Sequence, residues 1–356
     1  MFLKKLFLPF LILLGVLNAQ SQVFRKYSNE FLNLGVGANA FGMGKAVVAS
    51  TKGVDAGYWN PAGLVNIKDN ELSLMHAAYF QGIANYDYAA YAIPLDRNST
   101  IAFYALRFGV DDILNTTELI DNQGNIDFNR ISLFSASDYA FNIAYAKRLS
   151  KKGLSIGFNA KVVRRIIGDF ANAWGFGLDF GLQYQSDNWQ FGLMARDITT
   201  TFNAWTINQT EFDKIKNAIP GQNQELPKTV EISIPKIQFG FARQFRINYD
   251  FNLLAEADLN MRFKRTNDLL ALPFLSLSPA LGFELEFQEI AYLRAGVNNF
   301  QRQKNFDGSK STILEPNIGL GFVFKGVQID YALSNIGGSS GTLFSNVFSL
   351  KFNLNR

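Results

Sequence analysis

From about residue 71 onward the chain alternates apolar and polar side chains in segments of roughly ten residues, separated by turn chemistry. Trp174, Phe176, Leu178, Phe180, Leu182 and Tyr184 share one parity, and Gly175, Gly177, Asp179, Gly181 and Gln183 share the other. Successive side chains of a strand point to opposite faces, so this segment has one apolar and one polar face. Ten steps of about 3.3 Å span roughly 33 Å. Tilted by about 40°, that projects to roughly 25 Å, the height of the apolar band of an outer-membrane barrel. The end of the chain repeats the rhythm: Ile318, Leu320, Phe322 and Phe324, then Val327, Ile329, Tyr331 and Leu333, then Phe348, Leu350, Phe352 and Leu354. Asn355 and Arg356 follow, so an aromatic terminus is missing.

The pattern predicts strands near 71–80, 84–93, 98–108, 138–147, 154–164, 174–185, 188–196, 236–244, 250–260, 280–287, 290–298, 315–324, 326–333 and 345–354. That makes about fourteen, the even number a bacterial barrel needs. Connections after even strands are short (94–97, 148–153, 186–187, 288–289, 325–326), and several after odd strands are long (109–137, 197–236, 261–277, 299–313, 334–344). Short turns at one end and long loops at the other are how such barrels are built, with long loops outside and both termini periplasmic. The connection 81–83 is short and departs from this. Phe212 and Ile215 at helical spacing predict a short loop helix over 211–218. The expected fold is all-β: an antiparallel transmembrane barrel of about fourteen strands over 71–356, with a hatch from 22–70 in its lumen. A soluble β-sandwich is the alternative.

Composition agrees. Charged residues make up 18%, Phe stands at 34 and Tyr at 13, yet mean hydropathy is only +0.01. A barrel meets lipid with alternate residues only, so it need not be hydrophobic overall. Lys4 and Lys5 precede an apolar run of about 12 residues, followed by Ala19, Gln20 and Ser21. This reads as a signal peptide over 1–21, cleaved after Ser21 or after Ala19; the run is too short to span a bilayer. The absence of cysteine removes thiolate chemistry and a lipid-anchor cysteine. The net charge of +4 gives no reason to expect nucleic acid.

Residues 31–64 leave the strand rhythm, with Gly35, Gly37, Gly42 and Gly44 followed by Trp59, Asn60, Pro61 and Ala62. The glycines permit tight bends and close backbone approach. They do not keep dinucleotide-fingerprint spacing, and no βαβ unit surrounds them. The runs GVGANAFGMGKAVVAS and YWNPAGL resemble the N-terminal signature of the PorV/PorQ group, related to the FadL long-chain fatty-acid transporters. Lys45 stands where that group more often has a small or uncharged residue. The resemblance implies a fourteen-stranded outer-membrane barrel whose Asn-Pro-Ala segment, here Asn60, Pro61 and Ala62, folds inside as a hatch. It implies partnership with the type IX secretion translocon and its cargo proteins. A FadL-like transporter of hydrophobic small molecules is the second expectation.

No catalytic constellation emerges, so neither enzyme chemistry, cofactor nor metal is expected. His76 is the one histidine, and a triad or zinc site needs more. Asp179, Glu256, Asp258, Glu284 and Glu286 fall on the lumen parity, with Lys161, Arg196 and Arg294. Glu284 and Glu286 could be drawn as a hydrolase pair, but ion pairing inside a narrow barrel is the favoured reading. Arg294 is well placed to meet them across the hairpin at 288–289.

Overall fold

The computed structural model describes residues 29–79, 82–120, 123–218, 229–304, 309–336 and 344–354. The expected signal peptide and its cleavage points lie outside them. Fourteen antiparallel strands form the wall: β1 (Glu71–Tyr79), β2 (Ala84–Pro94), β3 (Ser99–Asn115), β4 (Ser132–Arg148), β5 (Leu154–Ile167), β6 (Ala171–Ser186) and β7 (Trp189–Arg196), then β8 (Lys236–Arg246), β9 (Phe251–Arg262), β10 (Ser276–Phe287), β11 (Ala291–Lys304), β12 (Lys310–Phe324), β13 (Val327–Ser334) and β14 (Ser345–Asn353). Each pairs with its neighbours in sequence, and β14 closes on β1 from Glu71↔Asn353 to Ala78↔Asn346. Closure leaves no open edge, so the backbone can satisfy its hydrogen bonds within lipid. Among the described residues no helix is long and apolar enough to cross a membrane.

The predicted parity holds around the wall. Phe158, Phe176, Phe241, Phe283, Phe322 and Phe348 are exposed outside, while Asp179, Gln183, Glu256, Asp258 and Arg294 are buried inside. Phe180 lies near the middle of the Trp174–Tyr184 apolar face. Phe180→Arg is therefore expected to lower stability in lipid by about 2–4 kcal/mol. Refolding titrations in vesicles would check this, and a near-zero change would put that face in the lumen.

Three loops read from the sequence contain strand. β3 and β4 run on to Asn115 and from Ser132 because a bulge between Val110 and Ile113 shifts their register. Asp112 there takes φ 58°. The bulge reverses the parity of every later side chain, so the alternation stops being visible in the sequence. A second register shift, between Asn298 and Gln301, hides the upper parts of β11 and β12 in the same way. After Arg196 a kink carries the chain through Ile198, whose N–H still bonds the Leu178 carbonyl. Pairing on β6 then resumes with Phe202–Ile207 and continues outward to Val230–Ile232. The helix expected over 211–218 is present as Gln209–Ala218.

Candidate functional site

Residues 29–66 lie inside the barrel as short turns: a 3-10 turn at Glu30–Asn33, α1 (Ala38–Gly42), α2 (Ala56–Trp59) and a 3-10 turn at Pro61–Asn66. Such short turns do not persist alone in water; the wall holds them. Asn60 has an extended backbone, and its side-chain oxygen accepts from the Ala62 N–H, capping a turn that Pro61 begins. Its amide nitrogen donates to the carbonyls of Val48, at 2.9 Å, and of Leu182 on β6, at 3.1 Å. Asn60 therefore ties two parts of the segment to each other and to the wall.

The acids at lumen positions fall into two groups. Glu256 and Asp258, both on β9, hold the N-terminal segment. The Val47 and Val48 N–H groups donate to Asp258 at 3.0 and 3.1 Å, and those of Ala49 and Ser50 donate to Glu256 at 2.6 and 3.2 Å. Four successive amides in one turn form a concave donor surface for negative charge. The other group pairs within the wall. Lys161 reaches Asp179 at 2.7 Å and Asp197 at 2.6 Å. Arg294 reaches Glu284 at 2.6 Å and Asp330 at 2.7 Å. Glu286 does not join it; it accepts from Asn252 at 3.0 Å instead. Glu284 and Glu286 are thus held by different partners. Arg196 donates to the Tyr58 carbonyl at 2.8 Å and lies 4.5 Å over the Tyr58 ring. His76 is on the outer face, 2.7 Å from Asp87.

Glycines set how closely segment and wall meet. Gly157 faces Gly181 across β5 and β6, Gly192 faces Gly240 across β7 and β8, and Gly282 faces Gly296 across β10 and β11. At Gly240 a β-carbon would stand 2.6 Å from the Ala49 nitrogen; at Gly296 it would overlap the Met43 carbonyl carbon. On the inner side, a β-carbon at Gly42 would stand 2.9 Å from the Gly319 Cα, and one at Gly44 would stand 2.5 Å from the Val297 nitrogen. Gly37 carries φ 77° just ahead of α1. Lys45 sits beside this seat with φ 62° and its ammonium 5.0 Å from the Phe41 ring centre. Burial pushes its pKa down and nearby Glu315 opposes the shift.

The pairing of Lys351 with Asp55, at 3.0 Å, and of Glu71 with the Val54 N–H, at 2.8 Å, escaped the sequence reading, as did Asp330. For Asp330 a signal was present: it lies opposite Gly321, where only a glycine leaves room for the Arg294 head group.

Besides a cavity of about 510 Å³ at the short-turn rim, lined by Ser50, Asn66, Arg148 and Tyr184 among others, two cavities flank the segment. One of about 770 Å³ opens toward the long-loop end, lined by Phe31, Leu34, Phe41, Trp59 and Phe108 and by polar side chains of the rim. The other, about 290 Å³, lies toward the short turns and is mainly polar, with Lys52, Asp55, Glu71 and Lys351 among its lining. Among the described residues no group of three or more His, Cys, Asp or Glu is placed to hold a metal ion.

No protein-family profile and no curated protein matches the chain. Solved structures do. The toluene transporter TodX of Pseudomonas putida superposes with a TM-score of 0.56 at 15% identity, over 90% of this chain and 98% of that one. The monoaromatic hydrocarbon channel CymD gives 0.54 at 13% identity, over 89% and 97%. The chain shares the barrel fold of these two proteins. At these identities the likeness is one of fold; the two neighbours are described as a transporter and a channel.

Proposed function

We propose that this barrel carries small hydrophobic molecules across the outer membrane, taking them up in the cavity at the long-loop end. The observation that carries the reading is that cavity: about 770 Å³, with an apolar floor of Phe31, Leu34, Phe41 and Trp59 on the N-terminal segment. Ligand sites for small molecules are commonly of this size, and here the apolar floor lies beneath a wider polar and charged rim. The same fold serves a toluene transporter and a monoaromatic hydrocarbon channel, which supports the reading. The long loops then face outside and both termini face the periplasm, as the loop asymmetry suggests. Residues 22–70 act as the hatch, with Asn60, Pro61 and Ala62 locking it and Glu256 and Asp258 fastening it. The type IX secretion role, with translocon and cargo as partners, rests on residues 35–64 alone and ranks second.

Trp59 lines the cavity and reports on it. Adding a small aromatic hydrocarbon to the purified barrel is expected to change tryptophan fluorescence saturably, and Phe41→Glu should weaken that binding at least tenfold. A barrel that shows no saturable response and co-purifies with secreted cargo would reverse the ranking.

A further inference from the structure

We infer that the Trp59 indole is the barrier between the two ends of the lumen, one side chain thick. The inference deepens the transport reading and rests on it for its physiological meaning, though its geometry stands alone. Among the described residues, Trp59 is the only one that lines both the long-loop cavity and the short-turn cavity. Elsewhere the segment meets the wall without a gap. Met43 and Gly44 press main chain on main chain at Gly296, as Val48 and Ala49 do at Gly192 and Gly240, while the Asn60 and Pro61 side chains close on Gly181 and Gly57 closes on the Tyr104 ring. Those contacts are broad and are reinforced by the carboxylates of β9.

The indole is set in place from several sides. Its N–H donates to the Val36 carbonyl at 2.9 Å. The Tyr58 ring meets it edge-on with centroids 5.0 Å apart. Gly35 takes φ 105°, and a β-carbon there would stand 3.0 Å from the ring edge. Gly35 therefore lets the edge of the six-membered ring close against the chain where a side chain would crowd it. The Gly35 N–H donates in turn to the Tyr58 hydroxyl at 3.0 Å, which donates to the Leu32 carbonyl at 2.7 Å. One hydrogen bond, aromatic packing and the Arg196 guanidinium 6.0 Å from its centre hold the ring, whereas the girdle is held by close steric contact with the wall and by the β9 carboxylates. Of the two, the ring is the part that can move without displacing the segment.

The test is single-channel conductance in planar lipid bilayers with a purified, folded barrel. Wild type and Trp59→Phe should stay closed, because a phenyl ring still fills most of the gap. Trp59→Ala should show steps at least tenfold above the wild-type background. Should the alanine variant not assemble, as judged by heat-modifiable gel mobility, Trp59→Leu carries the test, with smaller steps expected. A folded alanine or leucine variant that remains closed overturns the inference, as does a Trp59→Phe variant as open as Trp59→Ala. The transport reading has a separate readout. Conductance through Trp59→Ala with no ligand response in wild type keeps the barrier and removes the transport reading. A ligand response with a closed Trp59→Ala does the reverse.

Discussion

Arg294→Met is expected to cost about 3–5 kcal/mol of refolding stability, the usual penalty for leaving a buried charge without its partner. Arg294 and Asp330 are each 2% exposed, and the guanidinium lies 2.6 Å from Glu284 and 2.7 Å from Asp330. Met fills a similar length but supplies no charge, so Asp330 would keep only its bond from Gln328 at 2.7 Å. Glu284 is less buried and would lose less. The double variant Arg294→Met with Asp330→Asn should recover part of the loss, because the orphaned charge goes with its partner. Urea-dependent refolding into lipid vesicles, read by tryptophan fluorescence and gel mobility, measures both. A single variant within about 0.5 kcal/mol of wild type would mean that water reaches the triad and screens it.

The triad also shows where sequence reasoning stopped. Parity alone placed Glu284, Glu286 and Arg294 on one face, since the side-chain period of a strand is two. The hairpin at 288–290 then brought Arg294 opposite Glu284, and their pairing is in register. What parity could not give was the third strand. Asp330 meets Arg294 across β12, through the space left by Gly319 and Gly321, and that depends on the register of two further strands. The same limit applies to the N-terminal segment. Its glycines marked it as irregular, but nothing local says that Val47, Val48, Ala49 and Ser50 point their amides at β9, some 200 residues later. Strand ends failed for a narrower reason: the bulges at Val110/Ile113 and Asn298/Gln301 shift parity by inserting residues.

Gly296→Val should expel the N-terminal segment from its seat while leaving the barrel closed. Gly296 faces Gly282 across the β10–β11 hairpin, and both point inward at Met43. A β-carbon at 296 would overlap the Met43 carbonyl carbon and the Gly44 nitrogen. Those are main-chain atoms, with no rotamer to turn aside. They are also fixed on the far side, since Gly44 has φ 61° and its N–H bonds the Phe41 carbonyl at 2.9 Å. Overpacking of a core commonly costs about 1–3 kcal/mol; here the strain would be relieved by moving residues 42–45 as a unit. The outward face of β11 is untouched, so insertion into lipid should persist. Ala295→Val, one residue away on the outer face, is the matched control and should behave as wild type. Limited proteolysis separates them: new cleavage near Lys45 is expected in Gly296→Val only, together with ion conductance larger than that of Trp59→Ala, because the whole segment moves rather than one ring. Equal protection of Lys45 in both variants would show that the glycine pairs do not form the seat, and that the carboxylates of β9 hold the segment without them.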